Sequence, residues 1–157
     1  MPQLPADCLN DIFEYLEDDK ATLYSCLLVN RLWCATSVRL LWRDVQYYST
    51  FNFSTLIACL PNDSKEILSK NGITISTPTS KPPMFNYAAF CKVLSIYQVY
   101  HKLKRLLKNQ NSSISSQNLK NNSNVVAQEI LRLFVKQIPS LRKLEAIYPF
   151  NPSNLQI

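Results

Sequence analysis

Apolar residues recur at helical spacing from the start of the chain. In "LPADCLNDIFEYL" (4–16), Leu9, Ile12, Phe13 and Leu16 share one face of a 3.6-residue turn, and Asp11 and Glu14 fall on a solvated acidic face. The pattern predicts a helix over 5–16. Pro5 suits the first helical position, where its missing N–H costs nothing. Asp7 and Asp11 lie towards the positive end of the helix dipole. Acidic "EDD" (17–19) breaks the pattern, and Asp19 caps a second predicted helix over 20–29. Asn30 then caps a third over 31–42.

Beyond Val45 the periodicity softens. "FSTLIACL" (53–60) reads as a short helix stopped by Pro61, and Asp63 with Glu66 makes a capping-box pattern for "SKEILSK" (64–70). Asn71-Gly72 is a C-terminal stop. "ITISTPTSKPP" (73–83) alternates briefly and becomes a Pro-rich loop. A longer helical pattern follows over 86–107, carried by Phe90, Leu94, Tyr97, Leu103 and Leu107. The Asn/Ser bias of 109–124 marks a poorly ordered insert. The helical pattern resumes over 125–138 up to Pro139, and "SLRKLEAIY" (140–148) reads as a leucine-rich strand before a Pro/Asn-rich tail.

These patterns divide the chain into four stretches: a three-helix unit (1–45), a helical region with a Pro-rich loop (46–108), a disordered insert (109–124), and a helix with an incipient leucine-rich strand and tail (125–157). The fold class is mainly α. A single glycine against nine prolines agrees, because tight β-hairpins need glycine at positive-φ turn positions.

Charge separates the two ends. Residues 1–45 hold seven acids and four bases, whereas the remainder holds four acids and 13 bases. Only "KLKRLLK" (102–108) clusters, and such a run is most simply the solvated face of a helix. The five cysteines are widely spaced and lack a C-x-x-C pair, and His101 is the one histidine. Neither a zinc site nor a disulfide framework is implied, so the cysteines read as small buried hydrophobes in a reducing compartment. No cofactor is implied. Without a signal-peptide pattern or an apolar run near 18 residues, the expected location is cytoplasmic or nuclear, off the membrane. His101 has no acidic partner nearby in sequence, and no G-x-S-x-G, P-loop or H-E-x-x-H occurs, so catalysis is not expected.

The first 45 residues resemble an F-box. The resemblance is carried by Leu4-Pro5, the Leu9/Ile12/Phe13/Leu16 stripe, "VNRLW" (29–33) and the Leu41-Trp42 pair of "LLWRDV" (40–45), in that order. Asn30 stands where many F-boxes have Cys or Ser. The resemblance implies a non-catalytic subunit that binds a Skp-type adaptor and, through it, a cullin scaffold, linking a client protein to an SCF ubiquitin ligase for degradation. It places the adaptor-binding residues at Leu4, Pro5, Leu9, Ile12, Phe13, Leu16, Leu28, Val29, Trp33, Leu41 and Trp42. The C-terminal region is similar to the start of a leucine-rich-repeat array, as in fungal F-box proteins.

The physics of 1–45 points the same way. The segment carries more large apolar side chains than three short helices can cover, and units below about 40 residues rarely hold without a metal, disulfide or partner. Competing readings exist residue by residue. Phe13 and Trp33 also suit packing between the three helices, and Trp42 also suits packing against residues after Val45. Leu27 and Leu28 cannot both face one surface of a helix, so one is internal. Two rival readings of the whole chain are a basic helical nucleic-acid binder using "YHKLKRLLK" (100–108), and a truncated F-box protein that occupies the adaptor without delivering a client.

Overall fold

The computed structural model describes residues 4–78, 80–137 and 141–145. Its first three helices are α1 (Ala6–Glu14), α2 (Lys20–Cys26) and α3 (Arg31–Leu41), each within a few residues of its expected limits. The expected caps form. The Asp19 carboxylate accepts the Thr22 N–H at 3.0 Å, and Asn30 Oδ1 accepts the Trp33 N–H at 2.9 Å. Each cap satisfies an N–H that has no partner within its own helix. α3 packs against both α1 and α2.

A 3-10 turn, Val45–Tyr47, leads into α4 (Thr50–Ala58), which a Ser49–Asn52 capping box starts. α5 (Asn62–Lys70) begins two residues earlier than the Asp63/Glu66 pattern requires. Its cap position is Pro61, and no side chain caps it. Gly72 ends that helix at φ +68°, a conformation that favours glycine.

The region 86–107 departs from the single helix that its periodicity predicts. Tyr87–Phe90 is a 3-10 turn, Val93–Ser95 is strand β1, and α6 runs over Ile96–Gln110. Backbone partners explain the break. The N–H groups of Lys92 and Val93 donate to the Arg43 carbonyl at 2.7 and 3.1 Å, and the Lys92 carbonyl accepts from Arg142 and Lys143 at 2.9 and 3.1 Å. Those donors and acceptors leave the helical ladder for a parallel pairing of β1 with β2 (Lys143–Glu145), in the register Val93↔Lys143, Leu94↔Leu144 and Ser95↔Glu145.

The insert expected at 109–124 is corrected in its larger part. α7 spans Ser116–Gln137, and the connection from α6 is only residues 111–115. Composition is overridden by packing here. Leu119 and Ser123 are buried, and Ser123 Oγ donates to the Leu119 carbonyl at 2.6 Å. The Asn118 N–H donates to Ser115 Oγ at 3.2 Å, which caps the helix start. α6 and α7 form a helical hairpin that buries Leu103, Leu106, Leu107, Ile130 and Phe134.

One hydrophobic core runs from α1 to α7. Of the leucine-rich strand, three residues pair as β2, and the array expected beyond it lies outside the described residues.

Candidate docking surface on the N-terminal helices

The first helix carries apolar side chains on more of its circumference than its own packing uses. At about 100° per residue, the positions Tyr15, Cys8, Ile12, Pro5, Leu16, Leu9 and Phe13 span an arc about 160° wide. Leu9 and Phe13 are each 1% exposed, and Leu16 is half-buried against the core. Ile12 is 46% exposed and Tyr15 91%, with Pro5 and Cys8 also outside. The stripe Pro5–Cys8–Ile12–Tyr15 is thus a second apolar face beside the buried one. Leu4 extends it beyond the helix start.

A second exposed apolar group lies where α2 hands over to α3. Leu28 is 88% exposed and Val29 56%, while Leu27 is half-buried against the core. The helix ends in a tightened turn here. The Leu28 N–H donates to the Ser25 carbonyl at 3.1 Å and the Val29 N–H to the Cys26 carbonyl at 3.4 Å. Asn30 is fixed by capping α3, so the Leu28–Val29 corner is held outward on an ordered backbone. Tyr24, one turn earlier, is also exposed.

Four residues expected to contact a partner have their side chains enclosed by this chain. Leu9 and Phe13 fill the α1–α3 contact, with the Phe13 ring edge-on to Trp33 at 5.2 Å. Leu41 is buried, and Trp42 packs against Tyr48 at 4.9 Å and Tyr87 at 4.4 Å. Tyr48 Oη donates to the Trp42 carbonyl at 2.6 Å. A side chain so enclosed has no surface left to offer, so these four are core residues. Trp33 is half-buried and keeps an open edge. Leu4, Pro5, Ile12, Leu28 and Val29 stand outside.

Cys8, Tyr15 and Tyr24 belong to the exposed set although sequence reasoning passed over them. For α1 the signal was present, since Cys8 lies three residues after Pro5 and Tyr15 three after Ile12. Tyr24 carries no comparable mark.

The acidic side of α1 divides. Asp11 is exposed, whereas Glu14 is gripped by Arg43 through two hydrogen bonds of 2.8 and 2.6 Å. Arg43 also pairs with Glu17 at 3.1 Å. The guanidinium hydrogen bond holds the Glu14 carboxyl below the ordinary carboxylate range, against the opposing effect of partial burial. The same bond raises Arg43 further. Because the Arg43 carbonyl also receives two β1 N–H groups, this residue ties α1 to the C-terminal half.

Residues 1–76, just under half of the chain, match the family model of the COS11 F-box domain. These residues carry an F-box domain. No curated protein and no solved structure matches it. F-box domains in general bind Skp-type adaptors in SCF-type complexes, and F-box proteins are generally non-catalytic subunits of them. The matched region reaches beyond the three helices of the F-box signature and takes in α4 and α5, in keeping with the continuous core. Outside it, the basic run on α6 is amphipathic. Leu103, Leu106 and Leu107 point inward, and Lys102 Nζ donates to the carbonyls of Val45 and Gln46. No helix among the described residues is long and apolar enough to cross a membrane.

Proposed function

We propose that this F-box protein docks on a Skp-type adaptor through the outward stripe of α1 and the α2–α3 corner, and that its C-terminal half presents a client protein to a cullin-based SCF ubiquitin ligase. The contact residues are Leu4, Pro5, Cys8, Ile12, Tyr15, Leu28 and Val29, with the open edge of Trp33. The single observation that carries this reading is the apolar surplus of α1. Leu9 and Phe13 satisfy the protein's own core, while Ile12 and Tyr15 remain in water one helical step away. Exposed apolar faces on ordered helices are costly unless a partner covers them.

The protein's role is that of a connector. Ubiquitin transfer belongs to other subunits, and this chain supplies position: a rigid three-helix mount, tied through Arg43 and β1 to the half that meets the client. The test is co-expression with a Skp-type adaptor followed by size-exclusion chromatography. A 1:1 complex that persists through the column is expected. Separate elution of the two proteins at micromolar concentration contradicts the proposal.

A further inference from the structure

Outside the three N-terminal helices, the outward face of α6 collects cations and rings without a single acid. The α6–α7 hairpin, residues 96–137, holds seven bases and one acid, and that acid, Glu129, is buried and paired with Arg132. Lys104, Arg105 and Lys108 lie on the side of α6 opposite buried Val99 and Leu106, and none of them makes an ion pair among the described residues. Like charges three and four residues apart on a helix repel, and a solvated face relieves this by interleaving acids. The helix dipole accounts for Lys108 in the last turn, but its effect fades before Lys104 and Arg105. Earlier on the same face stand Tyr97, Tyr100 and His101, with ring centroids 4.2 Å apart for Tyr97 and His101 and 6.1 Å for Tyr100 and His101. His101 is exposed and both tyrosines are half-buried, so the rings leave an open edge beside the cations.

We propose that this face binds an acidic segment of another polypeptide, with an aromatic residue of the segment against Tyr97 and His101 and its carboxylates on Lys104, Arg105 and Lys108. Carboxylates make charge-assisted hydrogen bonds with these cations and remove their mutual repulsion. Lys102 takes no part, because its ammonium already donates to the carbonyls of Val45 and Gln46. From residue 97 to residue 108 the face is about 16 Å long, the reach of about five extended residues. Nucleic acid fits less well. Single-strand binding combines a charged groove that tracks the backbone with successive stacked bases, and one helix face with these cations is short for that. Calling the bound polypeptide the client rests on the proposed function, whereas its acidic chemistry rests on α6 alone.

The test is an NMR titration of the full chain with capped Phe-Asp-Glu-Asp-Glu-Asp, its neutral analogue Phe-Asn-Gln-Asn-Gln-Asn, and hexathymidylate, which matches the acidic peptide in charge. The acidic peptide is expected to bind saturably and to shift resonances of residues 97–108, a reading that needs no variant. The neutral analogue should bind about tenfold more weakly or worse, as should the acidic peptide to Arg105→Glu and, separately, to Lys108→Glu. Lys70→Glu, the same change in net charge placed on α5, should stay within about twofold of the wild type. The proposal is overturned if the acidic peptide does not saturate, if its shifts centre elsewhere, if the neutral analogue binds as well, or if Lys70→Glu loses as much as Arg105→Glu. Tighter binding of hexathymidylate overturns it in favour of nucleic acid. Self-association of the chain that Arg105→Glu abolishes overturns it in favour of a second copy. No adaptor is present in the titration, so failure here leaves adaptor docking standing.

Discussion

Ile12 and Phe13 are neighbours in sequence, equally apolar, and turned about 100° apart on α1. One is 46% exposed and the other 1%. Their substitutions should therefore separate stability from binding. Phe13→Ala removes a ring that is packed against Trp33 and should cost about 3–5 kcal/mol in denaturant unfolding. Ile12→Asp should leave the midpoint nearly unchanged, since surface changes usually stay within about 0.5 kcal/mol. Both residues were legible as apolar helix positions. Which of them turns inward was not, because the apolar arc is wide enough for either orientation and the choice is made by where α3 lies.

Two further residue-scale outcomes follow from ionisation. Glu14 is held below its ordinary value of 4.5 by Arg43, so the pair contributes stability above that pH and loses it as pH falls through the folded value. Because Glu14 is half-exposed, Glu14→Gln should cost only about 0.5 kcal/mol near neutrality. Chemical denaturation on the acid side of pH 4.5 should show the difference from wild type closing. Cys91 is buried and its thiol is pushed up to about 12 by desolvation, so it is protonated and shielded at pH 8. A thiol reagent should label exposed Cys8 promptly and reach Cys91 only on unfolding. Bound adaptor should protect Cys8 if the outward stripe is covered.

At the scale of elements, part of the capping chemistry was legible, while the side-chain caps at Ser49 and Ser115 were not. Asp19, Asn30 and Gly72 mark the ends that they mark in the sequence. Elements fixed by distant partners were not. β1 interrupts an apolar helical pattern because the Arg43 carbonyl and the Arg142 and Lys143 N–H groups meet residues 92–93 from far along the chain. The Asn/Ser-rich start of α7 is helical because Leu119 and Ser123 are buried, a contact that composition cannot announce. Asn121→Pro tests this. Asn121 is exposed and mid-helix, and its side chain only accepts a surface hydrogen bond from Gln117, so the substitution should cost about 3 kcal/mol, mainly through lost backbone geometry. Unchanged stability in thermal or denaturant unfolding would return the segment to a disordered insert.

Across the whole molecule, the three-helix unit was expected to cover its surplus of apolar side chains with a partner. The structure divides that surplus. Leu41, Trp42 and Val45 are covered from within by a core that continues into Tyr48, Tyr87 and Leu94. Leu4, Ile12, Tyr15, Leu28 and Val29 remain exposed. The F-box was therefore recognisable from its order of motifs, while the share of each motif given to core or surface depended on the half of the chain that follows. One continuous core also implies that Trp33 and Trp42 report a common unfolding midpoint in urea, since neither lies in a separately folding unit.

The central claim is that α1 turns one apolar face to its own core and the adjacent face to the adaptor. Its most direct test is the dissociation constant for a Skp-type adaptor, measured by calorimetry on folded variants. Ile12→Asp should weaken binding about thirtyfold or more, the ~2 kcal/mol loss of a central anchor, while Asp7→Lys on the polar side of the same helix leaves it within about twofold. Equal affinity of Ile12→Asp and the wild type would contradict the assignment.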